Sequence, residues 1–456
     1  MILMILFVGL LCLFGLGVTS FLLGILAIIF PPFDVLMNER LRMIRGFPAF
    51  EWWKEPPDEV LMRLYIFNIT NKLEFLAGKE KLKLEEIGPW VFREKLEHKN
   101  VHFNSNGTMS YTASRSVEFL PHLSGNLSME TRLVLPNLGV LGIASYLWDA
   151  SFFTKLGFNM LMLQYNSEPI VEMSAKDYMW NNSDPLFKMA GKLMPDLVPT
   201  TNLGVLHIIY EHFSDEVTVY MGVENSHRFF LIDQFRGSPR LHYWEDERCD
   251  LAAGASEGVS YPQFLTRNDS ILYLRKTICR ATPLYYVKDT ERYGMKGYRF
   301  ELPDDIFASE DPDRDKHGSY VIVEPLTGVP MESRARSQSN LVVRPLRGIN
   351  RVQAFSDLTV PMFWAEYNQV GLPWYISWLM YFVVEIVPPT QQPVAFCMVT
   401  AGISILLASL LGLTCARHYR HPHSPVNSTP TSRSYSSLNL ITASSAASTK
   451  SASLSA

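Results

Sequence analysis

No His-Glu-x-x-His, no Cys-x-x-Cys and no Walker loop occurs in the sequence. Without them the common routes to a catalytic zinc, a paired thiol or a phosphate cradle are missing, so neither an enzyme nor a bound cofactor is expected. The histidines are scattered, and His207, His212 and His242 lack the spacing of metal ligands. Asp311, Asp313 and Asp315 imitate the start of a calcium loop. Lys316 and Ile322 stand where that loop needs its glycine and its bidentate glutamate, so no metal is expected there either. A basic stripe is also absent. The chain totals −4, and its last forty residues, with Arg417, Arg420, Arg433, Lys450 and no acid, hold +4, which leaves −8 for the rest. A body that acidic does not suit nucleic acid, whose phosphates need a basic face. No internal repeat is visible.

Charge is missing altogether from two long stretches. Ile2 to Ile29 is uncharged for 28 residues and is stopped by Pro31-Pro32, and Val394 to Ala416 is the second such run. About 20 apolar residues cross a bilayer, and the first run is roughly twice as long as the apolar part of a signal peptide. Both are expected to be transmembrane helices, 2–29 and 394–416. Cleavage after Ser20 is the alternative for the first, since Val18-Thr19-Ser20 offers small residues. Arg417, His418, Arg420 and His421 follow the second run and place the tail, 417–456, in the cytosol. Arg40, Arg42 and Arg45 pull the other way, but long domains translocate largely regardless of such charges. Two spans with both termini cytosolic put residues 31–393 in the lumen or outside the cell. Five glycosylation sequons fall in that block, at Asn68, Asn106, Asn126, Asn181 and Asn268. Asn427 lies in the tail and should stay bare.

Within the block, Val60 to Asn68 has the pattern of a buried strand. Val91 to Leu120 predicts strands around a turn at Asn106-Gly107, a strong hairpin signal. Residues 147–195 change character. Trp148, Phe152, Leu156 and Met160 recur every four residues, which predicts one face of a helix that Phe153 and Leu163 widen. Asp184-Pro185 opens a second helix through Leu186, Phe187, Ala190 and Leu193. Methionines 160, 162, 173, 179, 189 and 194 crowd this region. The stripe has two readings: core packing, or a partly exposed apolar mouth for lipid, since Met adapts to varied ligands. Strands are expected again at Val205–Tyr210, Val217–Met221 and Phe229–Asp233. Trp374 to Val387 is too short and, with Glu385, too charged to span. It suits either an interfacial helix or a core helix. The Ser/Thr-rich tail lacks periodicity.

These segments carry a resemblance. Leu82-Lys-Leu-Glu-Glu-Ile-Gly-Pro-Trp-Val-Phe-Arg-Glu94 and Asn106-Gly-Thr-Met-Ser-Tyr111 come first, with Arg115 and Phe119 beyond. Trp244 with Cys249, Cys279-Arg280, Gly297-Tyr-Arg-Phe300 and Val321-Ile-Val-Glu-Pro-Leu-Thr-Gly-Val-Pro330 follow in order. Together with the two-span layout, the chain resembles the class B scavenger receptor family, which includes the fatty-acid translocase and the lysosomal integral membrane protein. The resemblance implies an α+β fold: a large antiparallel β-barrel-like ectodomain with a helical apex bundle at 147–195, flanked by two transmembrane helices. It also implies a receptor for lipid or lipoprotein ligands that passes fatty acid, sterol or carotenoid to the membrane through an apolar tunnel. The alternative is recognition of a lumenal protein partner. Trp148, Phe152, Phe153, Leu156 and Met160 are the candidate ligand-binding residues of the apex. Lys155 is nearby, but Gln164–Glu168 is not basic, so a preference for anionic lipoprotein is not indicated. The expected address is the cell membrane, with the endosomal or lysosomal membrane as the other possibility.

The chain departs from the family between Phe307-Ala-Ser309 and Asp313–His317, where relatives carry several dozen more residues with further cysteines. Removing strands from a closed sheet is expected to leave unpaired edges there. The loss also strands Cys249 and Cys279, which either stay free or mispair, the preferred reading, or pair with each other. Cys415 is a candidate palmitoylation site. Tyr435-Ser-Ser-Leu438 has the form of a sorting signal, with Tyr435 and Leu438 as its contact residues.

Overall fold

The computed structural model describes residues 2–193, 198, 200–211, 215–303 and 318–420. The calcium-like loop, His212, Met194, Phe307–Ser309, Asn427 and the Tyr435–Leu438 signal lie outside the described residues. The chain divides into two compact units, residues 1–22 with 398–456, and residues 23–397.

The helices, in chain order, are α1 (Ile2–Ile29), α2 (Pro32–Arg42), α3 (Pro48–Lys54), α4 (Lys72–Leu76), α5 (Leu138–Tyr146), α6 (Phe152–Gln164), α7 (Ala175–Trp180), α8 (Pro185–Leu193), α9 (Val205–Glu211) and α10 (Glu247–Asp250). The last two are α11 (Trp374–Tyr381) and α12 (Val387–Arg420). In the first unit, α1 and α12 approach closely. A side chain added at Gly402 would stand 2.6 Å from the Phe21 backbone nitrogen, and Ser20 Oγ donates to the Met398 carbonyl at 2.8 Å. Both helices are long and apolar enough to cross a membrane.

The larger unit is built on one eleven-stranded antiparallel sheet. Its strands are β1 (Val60–Ile69), β2 (Leu84–Phe103), β3 (Thr108–Phe119), β6 (Asp215–Tyr220), β7 (Ile232–Phe235), β8 (Ser270–Arg275), β9 (Arg280–Arg292), β10 (Met295–Glu301), β11 (Tyr320–Glu324), β12 (Val329–Val342) and β13 (Thr359–Gln369). They lie in the order β7-β6-β3-β2-β1-β13-β12-β11-β10-β9-β8. Two more strands, β4 (Arg132–Pro136) and β5 (Ile170–Ser174), pair separately. The β2–β3 turn is the expected one. Gly107 takes φ 74°, and the Asn106 side chain accepts from the Thr108 hydroxyl at 2.7 Å. The inner face of β1 puts Met62, Leu64 and Ile66 against Trp90, Phe92, Leu133, Leu135, Tyr178 and Met179 in one buried cluster.

The sheet is not a closed barrel. Its edges are β7 and β8, which do not pair with each other. An irregular segment lies between them instead. Gly254 N donates to Ile232 O and Ile232 N to Ala255 O, while Ser256 N donates to Leu272 O and Leu274 N to Ser256 O. These bonds satisfy part of both edges without a strand. The edges therefore do not arise where the chain is expected to be short. There β10 and β11 pair directly, with Glu301 opposite Tyr320.

Two of the expected strands come out differently. Val205–Tyr210 is helical, α9. Its buried residues Val205 and Leu206, with the partly buried Ile209 and Tyr210, recur at helical spacing and pack on the β1 cluster. The β-branched composition suggested a strand, but the side of the run that is buried has the period of a helix. Of Phe229–Asp233 only the end joins β7. Phe230 sits at φ 58°, so Phe229-Phe230 forms a buried corner rather than ladder. Trp374–Val387 is partly packed on the sheet and partly exposed. Ile376 and Met380 of α11 pack in a cluster with Met295, Ile322 and Met331, while Trp374 and Trp378 are exposed. The chain then passes through a wider π turn, Phe382–Ile386, into α12.

Candidate functional site: an apolar cavity and an exposed apex

The apex stripe does not line an internal space. Helix α6 starts at Phe152 because Ser151 caps it, accepting from Thr154 N at 3.2 Å. Its packed face is Phe158 and Met162, which are buried. Phe152 (71% exposed), Phe153 (81%) and Met160 (60%) face out, as do Leu156 and Leu163. Trp148 stands before the helix in a 3₁₀ turn, Leu147–Asp149. Its ring is covered by the Arg344 guanidinium at 5.2 Å, and its carbonyl accepts from Lys155 Nζ at 2.8 Å. The every-four spacing thus marks the outer face of α6, and Trp148 is not part of that helix. Asp184 does cap α8, accepting from Leu186 N at 2.8 Å.

A cavity of about 550 Å³ lies within the larger unit, inside the roughly 300–1,000 Å³ range of small-molecule sites. Its apolar wall includes Leu36 and Met37 of α2, Leu96 of β2, Ile209 of α9, Leu284 of β9 and Leu379 just past the middle of α11. Room comes from β12, where Ser333, Ala335 and Ser337 alternate along the lined face. Small side chains at every second position of one strand leave volume that their neighbours do not fill.

Arg115 and Lys276 in this wall each face a carboxylate. Arg115 Nη1 lies 2.5 Å from Glu94 Oε1, and Glu94 also accepts from the Tyr210 hydroxyl at 2.7 Å. Burial works against the Arg115 charge, but the carboxylate holds it above the usual arginine value. Burial likewise pushes the Tyr210 hydroxyl well up. Lys276 Nζ is 2.9 Å from Glu257 Oε1 and 3.5 Å from Asp215, which pairs with Arg236 at 2.6 Å. Tyr111 donates a short hydrogen bond to Glu257. Burial alone would raise the Glu257 carboxyl. Lys276 and Tyr111 outweigh it and hold the group down at about 2.

The CD36 family profile matches residues 15–312 and 310–413. The chain belongs to the CD36 family. Among curated relatives, scavenger receptor class B member 1 of Rattus norvegicus is 26% identical over 409 residues, covering 77% of this chain and 80% of that protein. The protein of the same name from Cricetulus griseus is 26% identical over 458 residues, covering 87% and 88%. Lysosome membrane protein 2 of Homo sapiens is 22% identical over 385 residues, covering 72% and 78%. The chain is thus a membrane protein of a receptor family, with two spans, α1 and α12. The two pieces of the CD36 family match meet at 310–312, where the chain is expected to be short.

Other positions of this CD36 family member fall as follows. The sequence also holds one Gly-x-Ser-x-Gly, Gly254-Ala255-Ser256-Glu257-Gly258, the spacing of a hydrolase nucleophile, although no enzyme is expected. It is not a strand-to-helix elbow. Ser256 is buried in the segment between β7 and β8, and its hydroxyl donates to Ser260 O at 2.8 Å and accepts from Gly258 N. Cys249 and Cys279 are unpaired thiols, and Trp244 Nε1 donates to the Cys279 carbonyl at 2.5 Å, tying the two cysteine segments together. Burial raises the Cys279 thiol. Cys415 is exposed on α12. Asn106, Asn126, Asn181 and Asn268 are exposed, whereas Asn68 is half-buried in β1 and its side chain accepts from Val134 N at 2.8 Å. Glycopeptide mapping of the secretory-pathway protein should therefore find glycan at the first four and none at Asn68. Full occupancy of Asn68 would contradict this packing.

Proposed function

We propose that the chain is a cell-surface scavenger receptor that collects lipid at its apex and passes fatty acid, sterol or carotenoid through the ectodomain cavity to the membrane. The cavity carries this reading. Its wall reaches α2 and α11, the two helices that adjoin the spans in sequence: α2 begins three residues after α1 ends, and α11 leads into α12. A largely apolar passage that ends on those helices suits delivery into a bilayer. Movement along it is downhill and needs no cofactor. Burial of apolar surface is worth about 25 cal/mol per Å² and has no direction, so cavity shape sets selectivity.

The outward Phe152, Phe153 and Met160 supply an exposed apolar patch of the kind that meets a ligand or partner. Phe153→Asp should lower uptake of labelled fatty acid or sterol by cells displaying the full-length chain at normal surface level. Unchanged uptake would rule out the apex as the way in. The same patch also suits a protein partner, the second reading. In that case Phe153→Asp would abolish capture of the soluble partner and leave lipid uptake intact.

A further inference from the structure

Helix α11 has two faces in different surroundings. Ile376, Leu379 and Met380 line the cavity, with Leu372 before the helix and Val383 after it. Positions 376, 379 and 380 share one side of a helix. On the other side Trp374 is 80% exposed and Trp378 63%, with Tyr375 and Phe382 exposed beside them. The rings pack in pairs: Trp374 meets Tyr375 edge-on at 5.9 Å, and Trp378 stacks on Phe382 at 5.8 Å. The helix itself is well held. Leu372 N donates to the Tyr293 hydroxyl at 3.1 Å, Trp52 of α3 meets Tyr375 edge-on at 5.9 Å, and Ile376 and Met380 pack with Met295, Ile322 and Met331. Its bare aromatic face is therefore a feature of a fixed helix. An exposed apolar patch of this kind marks a surface that meets a partner.

The setting points to the partner. Only Phe382–Ile386 separates α11 from α12, one of the two spans. Glu385 is the only charged residue from Leu372 to Ala416, so the patch lacks the polar rim usual at a protein interface. Tryptophan and tyrosine concentrate where bilayer meets water, because their rings are apolar and their edges polar. We infer that the outer face of α11 docks on the bilayer, with Trp374 and Trp378 seated in the headgroup layer of the leaflet on the ectodomain side. Helix α11 then has the cavity on one side and lipid on the other. This surface goes beyond the reading of the cavity and does not depend on it, since a docked α11 fixes the ectodomain on the membrane whether or not lipid passes through.

The test is the tryptophan emission of the purified full-length chain in phosphatidylcholine vesicles, made either with ordinary lipid or with lipid brominated on the acyl carbons nearest the headgroup. Bromine quenches an indole that it touches. None of the nine tryptophans lies in α1 or α12, so the signal comes from the ectodomain alone. The parent is expected to lose part of its emission in brominated vesicles, and Trp374→Phe combined with Trp378→Phe is expected to abolish most of that loss. Phenylalanine keeps an apolar ring at both exposed positions, which spares the fold. An unquenched parent would overturn the docking. Quenching of the same size in the double variant would overturn it too, because lipid would then be reaching other tryptophans, such as Trp52 and Trp53 on the cavity wall, and that result would leave the passage standing.

Discussion

Ala335→Trp is expected to reduce lipid uptake to the level of cells lacking the protein. Ala335 lies in the middle of β12, opposite Tyr367 of β13, and both line the cavity. Ser333 and Ser337 also line the cavity, so the side chains next to Ala335 on that face of the strand are small. An indole placed there occupies the space that a hydrocarbon chain would use. The backbone of β12 is held at Ala335 by its long ladder to β13, and up to Arg334 by β11, which favours filling of the cavity over collapse of the strand. Gln338→Trp is the control. Gln338 is exposed one residue beyond Ser337, and an indole there should leave uptake intact. The comparison is made at equal surface level, by labelled sterol or fatty-acid uptake together with surface biotinylation. Normal uptake by Ala335→Trp at normal abundance would show that lipid does not travel through this cavity.

How far the sequence reveals such a site depends on how local the signal is. The β2–β3 hairpin is legible because Asn106-Gly107 dictates its own turn. The cap of α8 is legible because Asp184 meets Leu186 N within one helical turn. Helix α9 is not, because the Val205–Tyr210 composition favours a strand and only tertiary burial of Val205, Leu206, Ile209 and Tyr210 reveals its period. The apex stripe shows the same limit. Its spacing identifies a helix, but a helix presents two faces, and here Phe158 and Met162 hold the inner one. The cavity is the least local feature of all. Ser333, Ala335 and Ser337 alternate with larger polar residues, a signal visible along β12 that was open to recognition. That their face turns toward space rather than water follows only from the register with β13 and from the packing of α2, α9 and α11 around it.

Acid should destabilise the ectodomain before its carboxylates protonate, and His98 is the reason. His98 lies on β2, fully buried, with its ring stacked on Trp53 at 4.4 Å and its Nδ1 2.7 Å from the Trp53 carbonyl, to which it donates in the neutral form. The other ring nitrogen has no partner. Desolvation is the main influence and disfavours the charged ring. Glu257 and the Trp53 carbonyl favour it, while Arg115 and Lys276 oppose it, and the pKa falls from 6.5 to about 4. The unfolded chain therefore takes up a proton as pH falls through 6.5, and the folded chain refuses it until about pH 4. The stability contributed by neutral His98 is complete above pH 6.5 and is lost as pH falls toward 4, by about 2 kcal/mol at pH 5 and about 3 kcal/mol in all. Glu257 behaves differently. Its carboxyl is depressed to about 2 from 4.5, so its contribution persists down to about pH 4.5 and is lost only below. Between pH 6.5 and 4.5 the loss thus traces to His98 rather than to Glu257. Chemical unfolding of the purified chain at pH 7 and pH 5 measures it, with His98→Phe as the non-titrating variant that keeps a ring on Trp53. The variant should be less stable at pH 7, having lost the donor to the Trp53 carbonyl, but its stability should fall less between the two pH values. Parallel losses in the two proteins would remove His98 as the acid-sensitive group.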